Sequence, residues 1–221
     1  MKRIIKDTVP TWFEQWKEDF KINNGRDAHY KGDFSTDDAD GRSRRHDLKM
    51  QLILEQGSIC CYCMKRISLN NSHIEHFWPK AHFQQMDMDY NNLFASCNSE
   101  GDSDGEEHCG HKKDDWYIQG MIPPTDGEVE RIFTYSVDGA IGSLRDSSKS
   151  DVAQQMIHYL GLDDFHLERN RRQAIQSSEV YDDVDYTEDQ IREIIDYYSE
   201  KDNGEYIPYC KAIIDCLKNM L

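Results

Sequence analysis

Cysteine and histidine are concentrated in one quarter of the 221-residue chain. Five of the seven cysteines and five of the nine histidines lie between Cys60 and Lys113. The stretch contains four short motifs, which are CCYC at 60–63, HIEHFWPK at 73–80, NNLFASC at 91–97 and HCGHKK at 108–113. Core packing does not require such clustering, whereas metal binding does. The fold of this chain must therefore bring these motifs together.

Four of the cysteines have the spacing of a structural zinc site. Two residues separate Cys60 from Cys63, so one tight turn can direct both thiolates at one ion, and Cys97 and Cys109 supply a second pair. Four thiolates complete the closed tetrahedral coordination of Zn²⁺, and we predict one structural zinc ion. Two alternatives stay open, a thioredoxin-like redox pair or buried free thiols. Cys61 could also replace Cys60 as a ligand.

The residues between the cysteines predict a strand–loop–strand–helix unit. Alternation at 72–77 indicates a strand, 93–95 a second short strand, and 110–113 the first turn of a helix. Glu75 and His76 place a carboxylate that can bind a metal ion beside an imidazole that can accept a proton. The predicted unit is a ββα motif with cysteines at both ends.

Together these motifs resemble the HNH endonucleases. More narrowly, Cys-x-Tyr-Cys and Ile-Glu-His-Phe-x-Pro-Lys, with support from 122–124 and 133–141, resemble the HNH subunit of the Septu antiphage system, PtuB, and its retron-associated relatives. The resemblance implies a metal-dependent endonuclease that cuts nucleic acid as a defence effector, with an ATPase partner of the PtuA type. DNA is the favoured substrate, with RNA, including transfer RNA, as an alternative. A zinc-stabilised module that binds nucleic acid or protein without catalysis is the competing hypothesis.

The resemblance also implies roles for individual residues. His76 matches the general base that takes a proton from the attacking water. Glu75 matches the acidic ligand of a catalytic divalent ion, Mg²⁺ or another. Asn92 matches the residue that orients the loop carrying the histidine.

The third HNH position departs from the family pattern. The family has His or Asn closely after the last cysteine, where this chain has Gly110. His111 is the nearest replacement as catalytic residue and metal ligand, followed by Asn98 and His108. An acidic insertion at 98–108 separates the last two cysteines. We interpret it as a solvated loop, with an extra divalent-ion site as the alternative.

The net charge of −16 is unusual for a protein that grips a phosphate backbone. Residues 41–113 carry nine Lys/Arg and ten Asp/Glu, whereas the rest of the chain carries 17 and 32. We hypothesise that a partner protein makes most of the contacts to the nucleic acid. The alternative is that the acidic residues only keep the protein surface soluble. The predicted nucleic-acid contacts are Arg44, Arg45, Lys80, Lys112 and Lys113. The first two belong to a basic helix start at 42–49, which could equally be a solvated helix face.

The sequence predicts an α+β fold, mainly helical, around the central zinc-bound ββα unit. We divide it into an N-terminal helical segment at 1–41, an HNH core at 42–117, and a hairpin with C-terminal helices at 118–221. No apolar run has the length of a membrane span, and no signal peptide is recognisable. Cysteines in metal-type spacing fit a reducing compartment, so we expect a cytoplasmic protein without a membrane partner.

Overall fold

The computed structural model describes residues 1–34, 43–99, 107–145, 147–178 and 185–221. The α-helices in these ranges are α1 (Thr11–Asn24), α2 (Arg44–Glu55), α3 (Cys109–Lys113), α4 (Val129–Ile132), α5 (Ser150–Tyr159), α6 (Phe165–Gln176), α7 (Glu188–Ser199) and α8 (Cys210–Lys218). The strands are β1 (Ser72–His76), β2 (Leu93–Cys97), β3 (Phe133–Tyr135) and β4 (Ile141–Ser143). Helices with two small antiparallel sheets make an α+β fold, as predicted.

The predicted ββα unit is present at the centre of the chain. β1 pairs antiparallel with β2, with Glu75 opposite Phe94 and His76 opposite Leu93. Every residue of β2 is buried, and α3 packs against this strand. The backbone N–H of Gly110 donates to Ser96 Oγ (3.1 Å), which attaches the start of α3 to β2.

Helix α2 also packs against both strands of this sheet. Leu48, Leu52 and Ile53 repeat at helical spacing and are buried. Just after the helix ends, the side-chain amide of the buried Gln56 makes two hydrogen bonds to the backbone of Ala95 in β2. Its Oε1 accepts from the Ala95 N–H (2.7 Å), and its Nε2 donates to the Ala95 carbonyl (2.8 Å). This amide completes the hydrogen bonding of a strand edge inside the core.

The N-terminal helix packs two aromatic side chains, Phe13 and Trp16, into the same core. Phe13 is fully buried and makes edge contacts with Phe34 (5.4 Å between centroids), and Trp16 also packs on Phe34 (5.1 Å). The helix ends at Gly25, whose φ of +68° is a left-handed conformation that favours glycine. The interior therefore takes up these two aromatic side chains.

Among the described residues, the C-terminal part at 118–221 carries the predicted hairpin and helices α4 to α8. The β3–β4 turn contains Gly139 at φ +86°, where an added Cβ would lie 2.2 Å from the Glu168 carbonyl oxygen. Helix α7 begins with a capping box formed by Thr187 and Gln190. A second apolar core joins the hairpin to α6, α7 and α8 through Tyr135, Ile175, Ile191, Ile213 and Leu217.

Residues from all three predicted segments share the first core, Phe13, Leu52 and Met156 among them. No helix in the described ranges combines the length and apolar character that a membrane span requires.

Candidate active site

Four buried cysteines form a cluster that could hold one metal ion such as zinc. The Sγ atoms of Cys60, Cys63, Cys97 and Cys109 all lie within 4.8 Å of one another, and Cys61 is outside the group. The Cys63 and Cys97 sulfurs are 3.6 Å apart. A tetrahedral zinc ion with Zn–S bonds of about 2.3 Å separates its sulfurs by about 3.8 Å. The structure thus brings together the four cysteines that the sequence selected.

The cysteines come from three separate elements. Cys60 and Cys63 lie in a tight turn after α2, Cys97 ends β2, and Cys109 begins α3. Backbone N–H groups point at two of the sulfurs, from Cys97 to Cys60 Sγ (3.3 Å) and from Lys65 to Cys63 Sγ (3.4 Å). An ion at this cluster would clamp the turn, the sheet and the helix to one another.

Glu75 is a buried carboxylate with its two oxygens in different surroundings. Oε1 accepts from Tyr62 Oη (2.9 Å) and pairs with Lys113 Nζ (2.8 Å). Oε2 lies 3.8 Å from His73 Nε2. Burial raises the pKa of Glu75, but the Lys113 ammonium and the His73 ring more than offset this, and the net pKa is below its ordinary value. Glu75 is therefore ionised at neutral pH.

His76, the next residue, is also buried beside a lysine ammonium, that of Lys80. Its Nε2 is 2.9 Å from the Asp87 carbonyl oxygen, and Lys80 Nζ lies 3.3 Å from Nδ1. Tyr30 packs edge-on against the ring at 4.6 Å. Burial, then the charge of Lys80, lowers the pKa of His76 to about 4. A carbonyl only accepts, so in the neutral ring Nε2 carries the proton and Nδ1 keeps its lone pair.

Asn92 holds the loop that follows β1. Its Oδ1 accepts from the Trp78 N–H (2.7 Å), and its Nδ2 donates to the carbonyls of Trp78 (3.1 Å) and Met86 (3.0 Å). The Asn92 carbonyl also accepts from the Phe77 N–H (3.0 Å). These contacts fix the chain directly after His76, in keeping with the role that the resemblance implies.

The structure brings His73, rather than His111, to the Glu75 carboxylate. His111 stacks on the His73 ring, with centroids 4.5 Å apart and planes 17° apart, and its Nδ1 lies 3.0 Å from Ser99 Oγ. The other two alternatives for the third position lie elsewhere. Asn98 Oδ1 contacts His73 Nδ1 (3.0 Å), and His108 Nδ1 lies 3.3 Å from a sulfur of the cysteine cluster.

Sequence reasoning had given His73 no catalytic role. A signal was available, because residues two apart on a strand share a face, and His73 precedes Glu75 by two. Burial lowers the pKa of His73, but its contacts with Glu75 and Asn98 more than offset this and raise it overall.

Two open clefts meet at this site. The first, of about 390 Å³, contains His73, Glu75, His76, Lys80, Gly110 and His111. The second, of about 530 Å³, shares His73, Ile74 and Lys80 with the first and adds Arg45, His46 and Lys49. The basic start of α2 therefore lies beside the catalytic candidates.

The predicted nucleic-acid contacts have different positions. Arg45 and Lys80 line the clefts, whereas the Arg44 guanidinium lies over the Trp16 ring (5.2 Å). Lys112 is half-buried on α3. Lys113 requires a correction, because its side chain is 1% exposed and its Nζ contacts Glu75 and the His76 carbonyl (2.9 Å). It neutralises a buried carboxylate and does not present its charge to a nucleic acid.

Two sequence predictions fall outside the described residues. Arg42 lies in the gap at 35–42, and most of the acidic insertion lies in the gap at 100–106. The interpretation of that insertion as a loop or an ion site remains a prediction.

A comparison with curated proteins identifies a relative. The chain is 30% identical over 154 residues to a protein of Vibrio cholerae serotype O1 biovar El Tor described as "Retron Vc95 putative HNH endonuclease", and the match covers 65% of this chain and 70% of the relative. The chain belongs to the HNH endonuclease family. No protein-family model matches it. Within the HNH family, its departure at Gly110 coincides with the place where His73 meets Glu75.

Proposed function

We propose that this chain is a metal-dependent HNH endonuclease that hydrolyses phosphodiester bonds of nucleic acid as the effector of a PtuB-type antiphage system. The retron-associated relative supports the nuclease and the defence context. The observation that carries the proposal is the arrangement of two adjacent side chains in one cleft. His76 Nε2 faces the Asp87 carbonyl oxygen, which leaves Nδ1 with its lone pair, and the preceding Glu75 has its Oε1 held by Tyr62 and Lys113. A zinc-binding module without catalysis has no need of this pair.

In this proposal His76 takes the proton of the attacking water at Nδ1. The Asp87 carbonyl accepts from Nε2–H (2.9 Å) and stabilises the imidazolium that results. Lys80 Nζ, 3.3 Å from Nδ1, is placed to turn toward the scissile phosphate when water occupies the position beside the ring. Asn92 keeps the ring in place through the loop that it anchors.

Glu75 is the proposed anchor of a catalytic Mg²⁺ or related ion. When bound, such an ion would neutralise the scissile phosphate and stabilise the leaving oxygen. Tyr62 and Lys113 hold Oε1, so Oε2 is the oxygen that remains for the ion. The second ion, zinc at the cysteine cluster, would be structural, because four thiolates leave no open coordination position.

The second cleft supports a path for the nucleic-acid backbone. Arg45 and His46 are exposed at its edge, and Lys80 connects it to the catalytic candidates. These contacts are few for an unaided nuclease, and the chain has a net charge of −16. We therefore propose that an ATPase subunit of the PtuA type binds this chain and contributes most of the contacts to nucleic acid, with DNA as the favoured polymer.

The first test is cleavage of DNA and of RNA, transfer RNA included, with Mg²⁺ or Mn²⁺. The chain is assayed alone and with an ATPase subunit of the PtuA type, as wild type, His76→Ala and His82→Ala. His82 is an exposed histidine near the motif and serves as the matched control. We expect His76→Ala alone to lose cleavage by a factor of about 10² or more. If the wild type cuts neither polymer in any combination yet holds zinc and binds the ATPase, an adaptor role replaces the proposal.

A further inference from the structure

We propose that His73, on strand β1, replaces the helix-borne third residue of the HNH motif and binds the catalytic divalent cation together with Glu75. The inference rests on the proposed nuclease function. It replaces His111, the candidate that sequence order favours, with a residue that precedes the Glu75–His76 pair.

Gly110 shows where the helix-borne side chain would have been. A Cβ added there would lie 2.4 Å from His73 Nε2 and 2.8 Å from Glu75 Oε2. The backbone of Gly110 does not have the positive φ that requires glycine, so its conformation would accept a side chain. What a side chain lacks is space, because the His73 ring already occupies it. A side chain at position 110 would therefore point from α3 toward Glu75, which is the direction expected of the helix-borne metal ligand in this family.

The His73 ring is held as metal-binding histidines are held. Its Nδ1 is 3.0 Å from Asn98 Oδ1, which can only accept, so Nδ1–H donates. In the neutral ring, which is the form that binds a metal ion, the lone pair is then on Nε2 and faces Glu75. Nε2 and Oε2 are 3.8 Å apart. Neighbouring ligands of an octahedral ion with bonds of about 2.1 Å lie about 3.0 Å apart, so the two atoms would have to approach each other by about 0.8 Å when the ion binds.

His111 cannot share that ion with His73. A metal ion bound to an imidazole nitrogen lies in the plane of the ring. The two rings are stacked with planes 17° apart and centroids 4.5 Å apart, so an ion in the plane of His73 lies well outside the plane of His111. We infer that His111 supports the His73 ring by stacking and is a positioning residue.

The donor set predicts a metal preference. A carboxylate oxygen with an imidazole nitrogen is a softer pair than two oxygens, and an imidazole suits a transition-metal ion better than it suits Mg²⁺, a hard cation that takes oxygen ligands. We expect the site to bind Mn²⁺ more tightly than Mg²⁺, and the difference to shrink when the imidazole is removed.

The test is direct Mn²⁺ binding to zinc-loaded protein, measured by the electron paramagnetic resonance signal of free Mn²⁺. The variants are His73→Ala, His73→Phe, His111→Ala and the control His82→Ala. His73→Phe retains a ring against His111 without a ligand nitrogen. We expect both His73 variants to raise the Kd at least about tenfold. His111→Ala should raise it by a smaller factor, because the His73 ring loses only its stacking partner, and His82→Ala should leave it unchanged. Zinc content and melting curves verify that each variant is folded.

A rescue separates ligation from support of the fold. In His73→Ala/Gly110→Asn, the space left by the imidazole admits a side chain from α3, and Mn²⁺ affinity should recover. A folded double variant as weak as His73→Ala would overturn the inference, as would His73 variants with wild-type affinity. If the His73 variants bind Mn²⁺ as tightly as the wild type while cleavage still depends on His76, the inference fails and the proposed function is retained. Mn²⁺ binding that depends on His73 in a protein that cuts nothing would instead refute the function and retain the site.

Discussion

Replacing Lys113 with methionine should destabilise the protein strongly, although the sequence places this lysine in a basic run at the end of a short helix. Its Nζ is 2.8 Å from Glu75 Oε1 and 2.9 Å from the His76 carbonyl oxygen, and its side chain is 1% exposed. Methionine retains most of the volume but leaves the Glu75 charge buried without its ammonium. Breaking a buried pair from one side costs about 3–5 kcal/mol, and we expect a loss of this size in the free energy of unfolding.

The loss should depend on pH. In the wild type, Lys113 and His73 bring the pKa of Glu75 below its ordinary value of 4.5 despite burial. Without the ammonium, burial dominates and raises this pKa, so the folded variant binds a proton more readily than the unfolded chain. The variant therefore recovers stability as the pH falls toward about 4–5, and its deficit is largest at neutral pH.

Urea unfolding of zinc-loaded protein at pH 7.5 and pH 5, followed by tryptophan fluorescence, measures both effects. Lys112→Met is the matched control, because Lys112 is the half-buried neighbour on the same helix, and it should cost about 1 kcal/mol or less. Lys113→Met/Glu75→Gln removes the charge as well and should regain at least about 2 kcal/mol over Lys113→Met. A Lys113→Met loss equal to that of Lys112→Met, or a double variant that regains nothing, would refute the reasoning.

Three further predictions concern the cysteines, the proposed base and the loop. Cys109→Ala should lose the zinc ion, whereas the buried neighbour variant Cys61→Ala should keep it; chelator colorimetry on denatured protein measures the content, and equal contents would contradict the cluster. Because the pKa of His76 is about 4, its Nδ1 stays unprotonated, and single-turnover cleavage at saturating metal should hold from pH 8 down to about 5. Half-loss near 6.5 would show an unshifted base. Asn92→Ala leaves three backbone groups without partners and should cost about 2–4 kcal/mol in urea unfolding. Exposed Asn91→Ala is its control, and equal losses would argue against the anchoring contacts.

The cysteine quartet could be predicted because its chemistry is local. Two thiols separated by two residues can meet one ion from a single turn, whatever the rest of the chain does. Cys97 and Cys109 are the cysteines of the same stretch that lie outside the CCYC motif, so they were the candidates for the other two ligands. Alternation of apolar and polar residues predicted the first strand of the ββα unit, and the positions of the cysteines marked where the unit begins and ends.

Lys113 and His73 were misjudged because their environment depends on how α3 packs against the β1–β2 sheet. A lysine in a basic run reads as a surface charge, and only the packing shows that Gly110 and Lys113, three positions apart, share the helix face toward Glu75. His73 seemed an isolated histidine until the same packing gave it a carboxylate at 3.8 Å. The helical period places Gly110 and Lys113 on one face, and the strand period places His73 and Glu75 on one face. The sequence does not show that these two faces pack against each other.

Glu75 and His76 must both be free of a proton, but burial acts on them in opposite directions. A metal ligand must stay charged and a general base must stay neutral; burial raises the pKa of the carboxyl and lowers that of the imidazole, so Glu75 needs a cation beside it that His76 does not need. Consecutive strand residues project to opposite sides, so each side chain has its own neighbours. Glu75 receives the Lys113 ammonium, and His76 receives a backbone carbonyl and the repulsion of Lys80. Exchanging the two residues would bury an imidazole against Lys113 and a carboxylate against a carbonyl oxygen, so we expect the exchanged pair to provide neither an anion for the metal nor a base for the water.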